Sequence, residues 1–285
     1  MKPRPLPGIK IREVSAEHID SINVMCTVPG SNCSAFLQES ARVHRHVAAL
    51  GVKTFGAFQD GKPVGRMEIM PIDAAPMALS GDGLWVIRCL WVLEEAQGTG
   101  IARRFMNKAM NVAQGSNGIA VVTYENWMPV SFFEKFGFEI VEVNGPATLL
   151  LLKMSHDATV SFQKRLGRYR HTNAQRRRRL GLGSSRISGK LSANGLVHVT
   201  AVLTGRCPWL MQSWRHWLSM ARGISDKVVT SELVIILTRS DAAEFGDENL
   251  YIDGVPYQGS PVQFEPFRQA IEERLAGGAK KFLNS

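Results

Sequence analysis

The chain has 285 residues, enough for two modest domains, and its apolar content of 45% supports well-packed cores. Lys and Arg outnumber Asp and Glu by 34 to 25, so the formal net charge at pH 7 is +9. The sequence contains no apolar run as long as a membrane span, and the segment Met1 to Pro7 lacks the apolar core of a signal peptide. We therefore expect a cytoplasmic protein without membrane contact.

The predicted elements of the first half alternate between strand and helix. Short apolar or β-branched segments predict strands over residues 9–14, 52–58, 63–72, 84–92, 119–123 and 138–143. Helical periodicity predicts a helix from Ala102 to Ala113. A shorter helix is expected between Pro129, which suits a first helical turn, and Gly137, which suits a helix end. This mixture indicates an α/β (α+β) fold class.

The joint between the strand 84–92 and the helix 102–113 is the most informative part of the sequence. Gln97-Gly98-Thr99-Gly100-Ile101-Ala102-Arg103 places two glycines directly before a helix start. Glycines let the backbone approach an anion closely, and the first N–H groups of the helix point at that anion. Arg103 and Arg104 add positive charge where the helix dipole disfavours cations, so we expect them to serve a ligand. The joint therefore predicts a phosphate-binding turn.

Two other interpretations of this joint stay open. A Rossmann dinucleotide site needs the pattern G-x-G-x-x-G, and Arg103 stands where the third glycine would be. A plain glycine turn that binds nothing is the other alternative.

Two motifs carry a resemblance to a known family. Gln97-x-x-Gly100-x-Ala102 resembles the pyrophosphate-binding signature Q/R-x-x-G-x-G/A of the GNAT acetyltransferase superfamily. Residues 126–138 (NWMPVSFFEKFGF) resemble the N-x-x-A-x-x-x-Y-x-x-x-G-F element that follows the fifth strand of that family. The resemblance covers residues 8–153. It implies a GNAT acyl-CoA N-acyltransferase fold, with acetyl-CoA as the acyl donor and no metal.

The resemblance also implies which residues contact the coenzyme. The backbone of Leu90 and Val92 would pair with the pantetheine arm, while residues 97–102 would hold the pyrophosphate. Arg103, Asn126 and Phe133 complete the expected set of coenzyme contacts.

The catalytic acid and base are less clearly marked. Phe133 occupies a position where the family often has a tyrosine that protonates the departing thiolate, and a phenyl ring has no proton to donate. Tyr124 is the nearest substitute in the sequence. Glu68 and Glu125 are the candidates for the general base, although each also fits an ordinary carboxylate at the surface or the rim. A water relay is the remaining alternative.

The four cysteines are Cys26, Cys33, Cys89 and Cys207, and they form neither a C-x-x-C pair nor a zinc-binding spacing. Cys26 and Cys33 can approach each other across a loop on the side where the family receives its acceptor. The alternative is two reduced thiols with no special role, as is usual in a cytosol.

Positive charge is concentrated in the middle of the chain. No acidic residue occurs between Asp157 and Asp226, whereas this stretch holds 13 Lys and Arg residues, including Arg176, Arg177, Arg178 and Arg179. Its Gly, Ser and Arg content predicts an exposed basic linker. The four consecutive arginines can contact a polyanion such as RNA or DNA, and the alternative is a solvated linker that binds nothing.

The second half predicts a separate, smaller fold. Its pattern indicates strands at 197–203 and 233–237, a helix at 210–221, a hairpin at 250–259 and a last helix at 262–275. With Cys207-Pro208 at the first strand-to-helix turn, this order resembles a small thioredoxin or glutaredoxin fold. Leu210 stands where a dithiol enzyme has its second cysteine. We therefore expect a scaffold or acceptor-positioning role rather than redox chemistry.

The combination of these two folds in one chain, together with the sequence of the second motif at residues 126–138, resembles the YoaP-type acetyltransferases. The resulting domain prediction is a GNAT domain at 1–155, a basic linker at 156–195, a thioredoxin-like domain at 196–278 and a tail at 279–285. The expected function is N-acetylation of a primary amine by direct attack on the thioester. The acceptor would enter between residues 26–41 and 125–127. The alternative is a non-catalytic module that binds coenzyme A or associates with nucleic acid.

Overall fold

Among the described residues, the first half of the chain forms a seven-stranded mixed sheet. The computed structural model describes residues 8–27, 33–124, 127–163, 196–234, 236–259 and 263–282. The strands of the first half are β1 (Lys10–Val14), β2 (Lys53–Gln59), β3 (Lys62–Pro71), β4 (Leu79–Ser80), β5 (Leu84–Val92), β6 (Gly118–Tyr124), β7 (Glu139–Asn144), β8 (Ala147–Lys153) and β9 (Ser161–Phe162). Its helices are α1 (Asp20–Asn23), α2 (Ser34–Ala48), α3 (Ile101–Val112) and α4 (Val130–Glu134).

The large sheet has the strand order β1-β2-β3-β5-β6-β8-β7. All neighbouring strands are antiparallel except β5 and β6, which are parallel. The six predicted strands of this half are confirmed to within one residue at each end, and the predicted helix at 102–113 is confirmed as α3. Helix α2 and strand β8 are not predicted by the sequence patterns. The strand β8 follows β7 through a tight turn at Gly145, where φ is 57°, and inserts between β7 and β6.

Strand β3 separates the two faces of the sheet, because successive side chains of a strand point in opposite directions. Gly65 faces α3: a Cβ added there would lie 3.1 Å from Ile101 Cγ2 and 3.2 Å from Phe105 Cε2. A glycine at this position therefore lets α3 pack closely on the sheet. Arg66 and Glu68 point to the opposite face, which α2 and the second half of the chain cover.

In the described part of the second half, four strands form a second sheet with the order β11-β10-β12-β13. Strands β10 and β11 are parallel, and the other neighbours are antiparallel. The elements are β10 (Val197–Leu203), α5 (Pro208–Arg222), β11 (Val228–Val234), α6 (Arg239–Phe245), β12 (Asn249–Ile252), β13 (Val255–Pro256) and α7 (Phe264–Phe282). Helix α6, which the sequence patterns do not predict, begins at a capping box formed by Thr238 and Asp241.

The second strand of this half, β11, begins five residues earlier than predicted. The expected strand over residues 233–237 is wrong, because β11 spans Val228–Val234. The parallel ladder aligns Val197 with Val228, so the β-branched residues that begin β11 pair with β10. Ile236 is buried beyond the end of the strand, which explains why the apolar run continues past it.

Helix α2 joins the core of the second half. Val43 and Val47 of α2 are fully buried in the same apolar cluster as residues of β10, α5 and α7. At the edge of this cluster Arg215 of α5 bridges Glu39 of α2, at 2.8 Å, and Glu232 of β11, at 2.6 Å. The hydrophobic core of the second half therefore includes a helix of the first half.

The first half extends beyond the predicted domain boundary at residue 155. Ala158 and Val160 are buried in the core of the first sheet, and β9 pairs with β4. Residues 158–162 thus pack with the first half. The rest of the predicted linker, residues 164–195, lies outside the described residues.

A core that the second half shares with helix α2 predicts that both halves unfold together. Leu218→Ala removes a buried side chain of α5 and should lower the free energy of unfolding by about 2–5 kcal/mol. Met220→Ala on the exposed side of the same helix should change it by less than about 0.5 kcal/mol. Urea denaturation followed by far-UV circular dichroism measures both variants. Two well-separated transitions, with only one shifted by Leu218→Ala, would contradict a shared core.

Candidate active site

Strands β5 and β6 separate to form a wedge-shaped opening in the large sheet. They pair over only four residues, from Leu84 opposite Gly118 to Ile87 opposite Val121. Beyond this point β5 continues to Val92, and within the described part of the chain no strand pairs with residues 88–92 on the side facing β6. The peptide groups along this edge of β5, including those of Leu90 and Val92, therefore border the opening.

A β-bulge lies at the point where the strands part. The ladder between β3 and β5 pairs Glu68 with Cys89 and Ile69 with Ile87, which leaves Arg88 as an extra residue. A bulge bends its strand and increases the local twist. The extra residue therefore gives a physical reason for β5 to turn away from β6 just after Ile87.

The predicted phosphate-binding turn follows the end of β5, at the open side of the wedge. Gly98 and Gly100 have φ values of 74° and 86°, which are left-handed conformations that favour glycine. Gly100 is the N-cap of α3, and the Thr99 hydroxyl donates to the Ala96 carbonyl at 2.6 Å. The N–H groups of residues 101–103 precede the hydrogen-bond ladder of α3, so they are available to an anion.

The side chains of this turn serve different purposes. Gln97 Nε2 donates to the Val92 carbonyl at 3.2 Å, which ties the turn to the end of β5. Ile101 is buried in the core, while Ala102 is half-buried. The Arg103 side chain is exposed. Arg104 does not fit the expectation of a ligand contact, because both of its terminal nitrogens donate to the Ile9 carbonyl, at 3.2 and 3.3 Å.

Phe133 is a core residue in the structure. Its ring is fully buried and packs edge-on against Phe132 and Phe138, with centroid distances of 5.1 and 5.4 Å. Contact between this ring and the coenzyme stays a prediction. Asn126 and Glu125, also expected at the site, lie outside the described residues.

Aromatic side chains meet near the ends of β5 and β6, at the open side of the wedge. Tyr124 ends β6, is 42% exposed, and exchanges two backbone hydrogen bonds with Trp127, at 3.0 and 2.9 Å. Trp127 in turn stacks on Trp91 of β5, with a centroid distance of 5.2 Å and an interplanar angle of 10°. The stacked indoles therefore connect the two strands that diverge.

Glu68 is buried, which corrects the expectation of a surface or rim carboxylate. It is 1% exposed, and its two oxygens accept hydrogen bonds from Arg66 Nη2 at 2.8 Å and Arg206 Nη1 at 3.2 Å. Although burial alone would raise the pKa of Glu68, the neighbouring guanidinium groups lower it to about 2. A carboxylate held in this way is a poor proton acceptor, which argues against Glu68 as the general base.

His44 lies against the same ion pairs and is held neutral. Its Nε2 is 3.2 Å from Arg66 Nη2 and 3.7 Å from the Glu68 carboxylate. Complete burial is the main cause that lowers the pKa of His44 to about 3, and the two nearby arginines add to this effect.

Arg206 is the most important residue that the sequence analysis missed. It comes from the second half and reaches Glu68, the Met70 sulfur at 3.0 Å, the Ala74 carbonyl at 3.2 Å and the Leu237 carbonyl at 2.9 Å. Its partners lie up to 138 residues away in the chain, so no local pattern signals these contacts. We call the buried set Arg66, Glu68, Arg206 and His44 the ion centre.

A second contact brings the other half of the chain to the wedge itself. Arg88, the extra residue of the bulge, forms an ion pair with Glu248, which lies just before β12. The other oxygen of Glu248 accepts hydrogen bonds from the Thr204 N–H and hydroxyl, both at 2.9 Å. The second half thus contributes to the wall of the opening.

The pKa of His44 predicts acid sensitivity of the fold. The unfolded chain protonates this group near pH 6.5 and the folded protein only near pH 3, so between these values the unfolded state binds the extra proton. The free energy of unfolding should therefore fall as the pH drops from about 6.5. Glu68 should add a further loss between about 4.5 and 2. Urea midpoints measured across this pH range test both statements.

The variant His44→Gln should flatten the pH dependence between about 6.5 and 5, because the differential protonation is removed. The matched control is His156→Gln, since the His156 side chain is fully exposed. An identical slope in wild type and His44→Gln would contradict the assignment of the proton to His44.

Comparison with known proteins identifies one domain. Residues 51–140 match the family model described as an acetyltransferase (GNAT) domain. A search of curated protein sequences gives no match to this chain. In the described part of the chain, no helix is long and apolar enough to span a membrane, and no group of three His, Cys, Asp or Glu side chains is arranged to hold a metal ion.

Solved structures similar to this chain include three acetyltransferases. A GNAT family acetyltransferase from Brucella melitensis in complex with acetyl-CoA is 17% identical, with a TM-score of 0.38, over 54% of this chain and 96% of that chain. The PaiA N-acetyltransferase of Thermoplasma acidophilum in complex with coenzyme A is 17% identical, with a TM-score of 0.39, over 51% and 99%. An acetyltransferase from Thermus thermophilus is 18% identical, with a TM-score of 0.40, over 52% and 97%.

The family model covers β2 to β6 and the glycine turn, which together form the wedge. Residues 51–140 therefore match a GNAT acetyltransferase domain.

Proposed function

We propose that this protein transfers the acetyl group of acetyl-CoA to a primary amine by direct attack of the amine on the thioester. The observation that carries the proposal is the wedge between β5 and β6 with the glycine turn at its end. An extended arm that enters the wedge can pair with the free edge of β5, while an anion at its end meets the start of α3.

This geometry supports the coenzyme contacts that we propose. The pantetheine arm would pair with the backbone of Leu90 and Val92, and the pyrophosphate would bind the N–H groups around Gly100. The Arg103 side chain is exposed beside these groups and can add a charged contact. The thioester then lies inside the wedge, between Arg88 and Tyr124.

The chemical step needs a neutral amine and a stable leaving group. The nitrogen forms a bond to the carbonyl carbon, the carbon–sulfur bond breaks, and coenzyme A leaves as a thiolate that takes up a proton. Tyr124 is our candidate donor, since it ends β6 at the mouth of the wedge and is partly exposed. Glu125 or a water relay would remove the proton of the amine.

Coenzyme A release with a panel of primary amines tests this proposal. Turnover with at least one amine supports it. Binding of acetyl-CoA without release for every amine in the panel would favour the alternative, a module that binds coenzyme A without catalysis.

We further propose that the second half is a thioredoxin-like unit of the kind paired with GNAT domains in YoaP-type acetyltransferases. The element order β10-α5-β11-α6-β12-β13-α7 and the strand order of its sheet support this. Cys207 is the N-cap of α5, as the resemblance implies. Burial raises the pKa of the Cys207 thiol, and Leu210 stands where a second thiol would be needed. These facts favour a role in positioning the acceptor over redox exchange.

The role of the basic segment stays a prediction. Arg176 to Arg179 lie outside the described residues, as does most of the segment 156–195. We keep the proposed division into a GNAT unit, a basic segment and a thioredoxin-like unit at 196–278, with a tail from 279. The first boundary moves to about residue 162, because β9 and Val160 pack with the first sheet.

The glycine turn predicts the effect of a bulky residue at its most constrained position. Gly100→Val forces a β-branched residue to a φ of 86°, which costs about 1–3 kcal/mol if the turn is kept. The turn should therefore rearrange, and the affinity for acetyl-CoA should fall about tenfold or more in isothermal titration calorimetry. Gly61→Val is the matched control, because Gly61 has a φ of 80° in the open turn between β2 and β3. Equal affinity in wild type and folded Gly100→Val would reject the site.

The proposed acid predicts a specific kinetic effect. Tyr124→Phe should lower kcat by about 10²- to 10⁴-fold and leave the affinity for acetyl-CoA close to that of wild type. Tyr257→Phe is the control, because it removes a hydroxyl without a hydrogen-bond partner in the described part of the second half. Steady-state kinetics with the best amine measures both. An unchanged kcat in Tyr124→Phe would exclude Tyr124 as the acid.

A further inference from the structure

The arginine at the bulge of β5 has unused hydrogen-bond donors. Arg88 donates one hydrogen bond, from Nη2 to Glu248 Oε2, and its guanidinium group has no other hydrogen-bond partner among the described residues. The Arg88 side chain is 21% exposed, so these donors are accessible from the wedge. Because a guanidinium group carries five N–H donors, Arg88 can bind a second acceptor group in addition to Glu248.

Arg88 lies at the place where we expect the reaction to occur. It directly follows Ile87, the last residue of β5 that pairs with β6, and it reaches the second half on the face of the sheet opposite α3. Burial alone would lower the pKa of this guanidinium group, but Glu248, Glu68 and Tyr124 lie near enough to raise it. Since the expected position of the thioester is between Arg88 and Tyr124, a group bound to Arg88 would lie next to the reacting carbonyl.

The ion pairs around Arg88 carry a surplus of positive charge. Three guanidinium groups, those of Arg66, Arg88 and Arg206, face two carboxylates, those of Glu68 and Glu248, and the imidazole of the ion centre is neutral. Burial is the main cause that lowers the pKa of Arg206, and the positive charge of Arg88 adds to this effect although Glu68 opposes it. An anionic group bound at Arg88 would therefore offset the surplus charge.

Another arginine of this protein shows how many carboxylates one guanidinium group can bind. Arg215 donates to both oxygens of Glu39 and to both oxygens of Glu232, at distances between 2.6 and 2.9 Å. Arg88, in contrast, has a single carboxylate partner in the described part of the chain. The planar fork of an arginine matches the geometry of a carboxylate, so this class of anion fits the remaining donors of Arg88 best.

We propose that the acceptor carries a carboxylate close to its primary amine and that Arg88 binds this carboxylate. This inference rests on the proposed acetyl transfer and adds the class of substrate to it. The amine must reach the thioester between Arg88 and Tyr124, so only a few bonds can separate it from a carboxylate held at Arg88. An α- or β-amino acid meets this requirement. The stacked indoles of Trp91 and Trp127 offer an apolar surface to its side chain at the open side of the wedge.

Equilibrium binding tests the carboxylate site without depending on turnover. Isothermal titration calorimetry compares amino acids with their decarboxylated amines, using the full-length protein saturated with coenzyme A. The pairs are L-phenylalanine with phenethylamine, L-leucine with isopentylamine and L-lysine with cadaverine. At least one acid should bind about tenfold tighter than its amine, because hydrogen bonds between charged partners are the strong ones. If no acid in the panel binds tighter than its amine, the proposal is rejected.

Two substitutions in the ion pair should have opposite effects on the binding of the best acid. Arg88→Gln removes the positive charge, so the affinity should fall about tenfold, towards that of the paired amine. Glu248→Gln removes the competing carboxylate but keeps a side chain that can accept a hydrogen bond, so the acid should bind at least about twofold tighter. An ion pair with a purely structural role would weaken binding in both variants, and that result would contradict the proposal.

The matched control is Arg239→Gln. Arg239 is 22% exposed and forms an ion pair with Asp73 of the first half, so this variant also breaks an ion pair between the halves. Asp73 follows the end of β3 that pairs with the start of β5, away from the open side of the wedge. The preference for the acid should therefore equal that of wild type. Circular dichroism reports whether each variant is folded, and if a variant at Arg88 or Glu248 is not, the wild-type comparison of acids with amines still decides.

Coenzyme A release with the same panel separates this inference from acetyl transfer itself. Release only with amines that lack a carboxylate would overturn the carboxylate site and leave acetyl transfer in place. Tighter binding of an acid without any release would support the site and contradict acetyl transfer. If Arg88→Gln lowers kcat/KM by the same factor for acids and for their paired amines, Arg88 serves the thioester and not the acceptor, and the proposal is wrong.

Discussion

The burial of one carboxylate between two arginines determines how the halves of this protein fit together. Glu68 lies on the strand β3 of the first sheet, Arg66 reaches it from the same strand, and Arg206 reaches it from the second half. A buried charge is tolerated only when it is paired and hydrogen-bonded. Separating the halves would therefore part Arg206 from Glu68, in addition to exposing the apolar side of α2. Electrostatic matching thus fixes the orientation that the apolar contact alone would leave less defined.

The same interface connects the fold to the site of chemistry. A single extra residue in β5, Arg88, bends the strand away from β6 and at the same time pairs with Glu248 of the second half. The bulge therefore opens the wedge, and the ion pair places the second half against its wall. Because both effects arise from one residue, the width of the opening and the packing of the second half are physically linked.

The sequence predicted the features that depend on neighbouring residues. Strand positions in the first half, the start of α3 and the glycine turn before it all follow from local patterns, and the structure has them within about one residue. The position of β11 was wrong, because an apolar run can continue past a strand into a buried loop such as that of Ile236. Glu68 was expected near the surface because local patterns carry no information about distant partners. A glutamate in a strand gives no sign of Arg206, which lies 138 residues further along the chain.

The distance between Glu68 and Arg206 along the chain also affects how the protein is made. A ribosome adds about 5–20 residues per second, so Arg206 is synthesised on the order of ten seconds after Glu68. During that time the first sheet can form its local pairings, but the apolar side of α2 and the carboxylate of Glu68 have not met their partners in the second half. The nascent chain therefore carries an exposed apolar surface through this interval, and we expect chaperones to bind it there. The first half therefore completes its packing only after part of the second half has been made.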